Sequence, residues 1–434
     1  MLASRLVCVL GMLLLVALAW SLSTQRRKFP WRIVLGGLGL QLVLGFLILR
    51  TETGRRAFGL AGQFFDKILS FVSDGSGFLF RQGADVSLLE TFAFGVLPTV
   101  IFFSALMSVL YHLGVMQCVV WAMAWVMRFT LGTSGAETLA AAANVFVGHT
   151  EAPLVVKPYL ATMTRSELNA LMTGGFATVT GGLLGAYAGM GIDIRHLLTA
   201  SVISAPAALL IAKVMVPETA VPVAGGGLRL DRSSGNVNLI GAAVQGATDG
   251  LKLALNVGAV LIAFLALIAM LDWMVGQAGV GFWSILDYWR GAADVSHTPW
   301  SLGLVLGYAC APLALCMGIP WSESVAAGEL IGLKTVANEF IAFKELGSMN
   351  VVAAGSVEAG MISPRTKVIL TYALAGFSNF GAIGIQVGGI GGLEPSRRDD
   401  LARLGLRAMI GGLIACCMTG AVAGLMLAAE DPAA

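Results

Sequence analysis

Apolar residues in this chain come in long blocks separated by short charged stretches. Near-uncharged runs occupy Leu6 to Leu22, Ile33 to Leu49, Phe92 to Leu110, Leu168 to Ile192, Leu197 to Val216, Leu253 to Leu271, Val368 to Leu393 and Ala408 to Ala429. An apolar helix of about 20 residues crosses ~30 Å of hydrocarbon, so the runs predict an all-α polytopic membrane protein with about eight transmembrane helices. Thr53 to Phe80 follows another pattern. There Arg55, Arg56, Asp66 and Lys67 mix with Phe58, Leu60, Phe64, Phe65, Ile68, Leu69, Phe71 and Val72, as in a helix lying in the membrane interface. Pro217 to Val237 holds three successive glycines, then Arg229, Asp231, Arg232, Ser233 and Ser234, and reads as a soluble connection.

Polar residues interrupt the apolar sequence twice, on one plan. Ala143-Asn144-Val145-Phe146 leads to Gly175-Phe176-Ala177-Thr178, and Ala337-Asn338-Glu339-Phe340 leads to Gly376-Phe377-Ser378-Asn379. Phe146 to Phe176 is 30 positions and Phe340 to Phe377 is 37, with Thr164-Arg165-Ser166 and Ser363-Pro364-Arg365-Thr366 between them. Repeats broken at matching places by Gly and polar residues mark a secondary transporter, because broken helices expose backbone dipoles at the membrane midplane. The predicted organisation is 1–128, N-terminal and interfacial helices, mostly scaffold; 129–216, first repeat with a re-entrant hairpin; 217–238, cytoplasmic loop; 239–290, scaffold helix and connection; 291–393, second repeat with a second re-entrant hairpin; and 394–434, C-terminal loop and final helix.

Composition sharpens this picture: 57% hydrophobic and 12% charged residues, with a mean hydropathy of +0.83, exclude a soluble fold. A net charge of +2 gives nucleic acid no electrostatic purchase. The six cysteines lie in or beside apolar runs without CxxC spacing and read as small buried hydrophobes. Arg5 before an apolar run and Ala17-Leu18-Ala19 suit a cleaved signal, but Arg26, Arg27, Lys28 and Arg32 at the far end predict a retained first helix running inward. Counting spans from there puts Pro217 to Val237 and Glu394 to Arg407 inside, and leaves Arg50, Arg55, Arg56, Arg365 and Lys367 outside.

The stranded polar residues carry the candidate chemistry. Asn144 to Pro153 places Asn144, His149, Thr150 and Glu151 in membrane-embedded sequence, where ionisable groups are costly enough to imply a task. Gly148 and Pro153 bracket them, predicting a re-entrant hairpin whose irregular backbone lines a cavity; a membrane-surface loop is the alternative. The second repeat supplies Lys334, Asn338, Glu339, Lys344 and Glu345, then Ser378 and Asn379. A carboxylate and an amide facing a cavity can hold a polyhydroxylated solute, or Glu339 pairs with a lysine from a packed helix. Thr178-Val179-Thr180-Gly181-Gly182 offers hydroxyls and unwound carbonyls of the kind hard cations choose. With Asn144 and the Val147 carbonyl it composes a candidate sodium site, unless Thr and Gly serve close helix packing alone.

At these residues the chain resembles the concentrative nucleoside transporter family. The family's hairpin motif Gly-Gln-Thr-Glu-Ala-Pro stands here as Gly148-His149-Thr150-Glu151-Ala152-Pro153. Lys157-Pro158-Tyr159-Leu160, Leu184-Gly185-Ala186-Tyr187, Gly318-Ile319-Pro320-Trp321, Asn338-Glu339-Phe340 and Gly376-Phe377-Ser378-Asn379-Phe380-Gly381 also match, and the likeness runs from about Leu89 to Leu427. The resemblance implies an elevator-type homotrimer of a bacterial inner membrane, with inverted repeats and sodium-driven symport of nucleosides. It places His149, Thr150, Glu151 and Leu183 at the nucleobase, Glu339, Phe377 and Asn379 at the ribose, and Asn144, Val147, Thr178 and Val179 on the sodium. Two positions depart. His149 replaces a usual Gln, and Ala382 replaces a usual Ser that bonds the ribose, which puts substrate preference in play.

The nearest alternative is a proton-coupled transporter of nucleosides, or of modified nucleosides or nucleobases, with Glu151, Glu339 or His149 as the titrating group. An intramembrane serine protease is a remote one, because Gly132-Thr133-Ser134-Gly135 fits a GxSG pattern. No histidine is placed to serve Ser134, which reads better as a helix cap. His149-Thr150-Glu151 lacks HExxH spacing, so the expectation is a transporter and no enzyme, with no organic cofactor.

Overall fold

The computed structural model describes residues 2–80, 94, 97–149, 151–222, 238–290, 300–349, 351 and 361–427. Among these the regular structure is helical, apart from one bridge between Val351 and Ile362. Three helices come first: α1 (Leu2–Ser21), α2 (Trp31–Leu49) and the amphipathic α3 (Glu52–Phe80). Next come α4 (Leu97–His112), α5 (Val115–Leu131), α6 (Gly135–Ala143), the short α7 (Ala152–Val155) with a 3-10 turn at Lys157–Thr162, α8 (Arg165–Ala177), α9 (Gly181–Gly189) and α10 (Ile194–Met215). They are followed by α11 (Leu239–Arg290), α12 (Leu302–Cys316), α13 (Trp321–Val336), α14 (Glu339–Ser348), α15 (Pro364–Leu374), α16 (Phe380–Leu393) and α17 (Arg398–Met426).

Five described helices are long and apolar enough to cross a membrane. The two runs that read as single spans, Leu168 to Ile192 and Val368 to Leu393, are each broken, at 178–180 and 375–379. Apolar composition continues across both breaks, so hydropathy alone does not see them. Counting the bent pairs α4–α5 and α12–α13 as one span each brings the number among the described residues to at most seven, against the about eight expected. Residues Arg229, Asp231, Arg232, Ser233 and Ser234 of the expected loop lie outside the described residues.

Short-range chemistry explains where the pieces start. Ser134 accepts from Glu137 N while Glu137 accepts from Ser134 N, a capping box that opens α6. Thr164 and Glu167 repeat it for α8, and the Ser363 hydroxyl accepts from Thr366 N to open α15. The two hydroxyl-plus-arginine turns are therefore helix caps, each satisfying orphan N–H groups.

The hairpin bases are then fixed differently. In the first repeat the Lys213 ammonium meets Glu137 at 2.5 Å with both side chains 2% exposed, and also donates to Ser166 Oγ at 2.9 Å. Such a pair fixes geometry more than it adds stability. In the second, Glu323 accepts from Ser363 N and Oγ, both at 2.9 Å, and Arg365 donates to the carbonyls of Gly318 at 2.8 Å and Gly424 at 2.7 Å.

The centre of the molecule is where the two breaks cross. A Cβ on Gly376 would lie 2.7 Å from Phe176 O and 2.5 Å from Cys416 Sγ, so the two backbones touch at a point only glycine allows. Cys416 of α17 sits at the crossing, 3.6 Å from Ala177 O and 3.8 Å from Ala375 O. Helices α10 and α17 pack behind it, with 89% and 78% of their apolar windows buried, against 6% for α11. The buried pair is the spine, and α11 turns its apolar surface outward.

Candidate substrate and cation site

Helix α6 ends at Ala143 and the chain turns through residues 144–149 before α7 begins. Asn144, the C-cap of α6, is 0% exposed, and neither atom of its amide has a hydrogen-bond partner. It packs on Gly174 so closely that a Cβ there would lie 2.9 Å from Asn144 Nδ2. Gly174 also links to the break: its carbonyl accepts from Thr178 Oγ1 at 2.9 Å. Thr178, Val179 and Val147 are all buried, and Gly181 N donates to Phe146 O at 2.9 Å, which ties the hairpin turn to the break. Asn144, Val147, Thr178 and Val179 are thus gathered into one neighbourhood.

An orphaned buried amide costs roughly 1–3 kcal/mol, a cost that a ligand at this spot removes. The oxygen donors available are an amide, a hydroxyl and backbone carbonyls, the set that suits a hard monovalent cation. Thr178 donates its proton to Gly174 and so keeps its lone pairs free to coordinate. Among the described residues no cluster of three His, Cys, Asp or Glu side chains could hold a transition metal.

Across the crossing, Glu339 opens α14 and is 4% exposed. Its Oε1 accepts from the Tyr187 hydroxyl at 3.1 Å and its Oε2 from Asn379 Nδ2 at 3.3 Å. Asn379 in turn caps α16, accepting from Ala382 N at 2.8 Å. Phe377 lies two residues back and packs edge-on against His149, with ring centroids 4.7 Å apart. Both ring nitrogens of His149 are buried without a partner, and its Cβ would be 2.6 Å from a Cβ on Gly175. Leu183, also buried, precedes Tyr187 by one turn of α9.

The structure therefore brings His149, Phe377, Asn379, Glu339 and Ala382 together, with Leu183 on the adjoining helix. Glu151 stands apart, exposed in a cavity of about 350 Å³ lined also by Tyr111, Gln117, Thr180 and Asp249. Thr150 lies outside the described residues. The alternative of Glu339 paired directly with a lysine gives way to Tyr187 and Asn379, two neutral donors.

Two residues of the site were not singled out by sequence. Tyr187 is fully buried between Phe340 and Phe343, with ring centroids 5.6 and 4.6 Å away. Gln386 donates to Met172 O at 3.3 Å, has an unpartnered Oε1, and its Nε2 would be 2.9 Å from a Cβ on Gly175. It falls on the same face of α16 as Asn379 and Ala382, at helical spacing, which is the signal that could have found it. Ser134 is occupied elsewhere: its hydroxyl donates to Glu167 Oε1 at 2.5 Å. His196 bonds Tyr372 at 3.1 Å, and among the described residues the Ser134 hydroxyl is engaged by Glu137 and Glu167.

Comparison with known proteins adds an independent line. Family models described as "Na+ dependent nucleoside transporter C-terminus", "Nucleoside recognition" and "Na+ dependent nucleoside transporter N-terminus" match residues 196–424, 93–193 and 10–82. The chain is 40% identical to Solute carrier family 28 member 3 of Eptatretus stoutii over 99% of its own length and 61% of that protein's. It is 40% identical to Sodium/nucleoside cotransporter 1 of Rattus norvegicus, covering 97% of this chain and 64% of that one. The chain thus spans less than two thirds of these two animal proteins. Against the transporter YutK of Bacillus subtilis, also 40% identical, the coverage is 96% and 98%. The solved structure of CNTnw in an inward-facing substrate-bound state superposes with a TM-score of 0.86 at 40% identity, covering 97% of this chain and 98% of that one. A CNTnw variant in an outward-facing state gives 0.85.

Proposed function

The chain belongs to the Na+-dependent, concentrative nucleoside transporter family, and on that premise we propose that it imports nucleosides by symport with sodium. The observation that carries this reading is the buried, unpartnered amide of Asn144, beside Thr178 and across the helix crossing from the Glu339–Asn379 pair. Sodium would be held by Asn144, Thr178 and the backbone of Val147 and Val179. Ordering these groups sets the hairpin tip that carries His149, Thr150 and Glu151. His149, Thr150 and Leu183 face the nucleobase, Glu151 joins them from the adjoining cavity as the tip orders, and Glu339, Asn379 and Phe377 receive the ribose beside Ala382. Ion and nucleoside then favour each other's binding by the same free energy.

Transport follows by moving one unit against another. Residues 129–216 and 291–393 form the moving body, and 1–128 with 239–290 the scaffold of a homotrimer in a bacterial inner membrane. The outward apolar surface of α11 suits a scaffold helix facing lipid or a second copy. Nothing covalent happens to the nucleoside.

The test is uptake of radiolabelled ribo- and deoxynucleosides into proteoliposomes under an imposed sodium gradient or an imposed proton gradient. Sodium-driven accumulation is expected. Accumulation under protons alone would move coupling to a carboxylate, for which buried Glu339, bonded to two neutral donors, is the motivating observation. No nucleoside uptake under either gradient would end the reading.

A further inference from the structure

Lys334 plays no part in the site described above, yet it is 0% exposed. Its Nζ donates to Ala373 O at 2.9 Å, in the last turn of α15, and it stands five residues before Glu339 in the chain. A buried ammonium costs several kcal/mol unless compensated. The compensation on offer is the C-terminal end of α15, which carries about half a negative charge, together with the Glu339 carboxylate.

The place of this charge in the repeat gives it meaning. Helix α15 enters the second break as α8 enters the first. At the first break Asn144 Nδ2 and Oδ1 and Thr173 Oγ1 are buried without partners. When Asn338 is set against Asn144, Lys334 falls opposite Ala140, inside a run of four alanines that ends α6. No side chain there can deliver a charge to the end of α8. The first repeat thus leaves room for a mobile cation, whereas the second carries its cation on a side chain.

We propose that Lys334 is a tethered counterpart of the coupling ion. It supplies at the second break the positive charge that sodium supplies at the first, and it positions the Ala375–Asn379 turn so that Asn379 meets Glu339. This rests on the sodium-symport reading and extends it: one sodium ion moves per nucleoside, because Lys334 already supplies the positive charge at the second break. Lys334 acts as a positioning residue, since its contact is a backbone carbonyl and not the substrate.

Two measurements test it. In proteoliposomes of the unaltered protein, the ratio of labelled sodium to nucleoside taken up is expected to be one, with hyperbolic sodium activation. Lys334→Ala is expected to lower uptake by about tenfold or more, the scale of a lost charge at a helix terminus, and to recover when millimolar ethylammonium refills the space. Lys334→Met fills that space without charge and is expected to be equally impaired and not rescued. A ratio of two sodium ions per nucleoside would overturn the proposal, as would a Lys334→Met protein with unaltered KM, rate and ratio. Where the variants do not assemble, the flux ratio of the unaltered protein decides. Absence of any sodium-driven uptake would remove the parent reading and this inference together, whereas two-ion coupling with intact uptake removes this inference alone.

Discussion

At the first break the Asn144 amide is buried with no partner, while its counterpart Asn338 accepts from Ile341 N at 3.0 Å and caps α14. The following pair differs in the same sense. Thr178 ends α8 in extended conformation and only reaches back to Gly174, whereas Asn379 both caps α16 and donates to Glu339. Ser378 Oγ, buried and unpartnered, is the one loose end of the second break. Polar residues at equivalent places are left incomplete in one repeat and satisfied in the other. Incompleteness costs stability in the empty protein and is repaid only by a ligand, the contrast on which the proposed ion site at the first break and solute receptor at the second depend.

The most damaging way to break this contrast is at the completed end. Glu339→Gln keeps the shape and removes the charge that holds Tyr187 and Asn379. Each hydrogen bond to a charged group is worth about 1.5–3 kcal/mol, so kcat/KM for nucleoside uptake is expected to fall by about 100-fold or more. Uptake within a few-fold of the unaltered protein would show that the second break does not receive the solute.

A matched pair of asparagine variants sharpens it further. Asn144→Ala removes a buried amide that nothing in the protein holds, so stability in sodium-free detergent is expected to hold or to rise, by at most the roughly 1–3 kcal/mol that the orphaned amide costs. The sodium concentration for half-maximal uptake is expected to rise by about tenfold or more, which corresponds to ~1.4 kcal/mol of lost ion binding. Asn338→Ala should do the reverse, costing about 1 kcal/mol of stability as a lost helix cap with sodium activation unmoved. Thermal unfolding with and without sodium, read beside uptake, checks both. If the two variants behaved alike, the breaks would be equivalent and the contrast would fail.

How much of this was written in the sequence depends on range. The cap at Ser134, the turn at Asn144 to Gly148 and the break at Thr178 to Gly182 are local signals, and they stand where the pattern puts them, while Thr164 and Ser363, legible only as polar turns, prove to be caps as well. Tyr187 sits in a recognisable motif whose role sequence does not show, because its partner Glu339 is 152 positions away and only the packing of α9 on α14 joins them. Gln386 was hidden by the apolar helix around it. Lys334 and Glu339 were both legible as costly charges, but not what each would meet. Residue type announced the expense, and tertiary structure alone showed where it is met.

The smallest expected effect is the finest test of the second break. Ala382 is 2% exposed, its N–H already committed to Asn379, and its methyl lies one turn before Gln386. Ala382→Ser adds a single hydroxyl to this face without disturbing the cap, since the backbone bond that fixes Asn379 is kept. If the ribose lies against Asn379 and Glu339, that hydroxyl gains one neutral hydrogen bond, worth about 0.5–1.5 kcal/mol. The ratio of ribo- to deoxynucleoside kcat/KM should then rise by about 2- to 10-fold, with sodium activation unchanged because the first break is untouched. Competition uptake against a labelled ribonucleoside measures the ratio directly. An unchanged ratio would place the discriminating sugar hydroxyl elsewhere and confine the second break's part in recognition to Glu339 and Asn379.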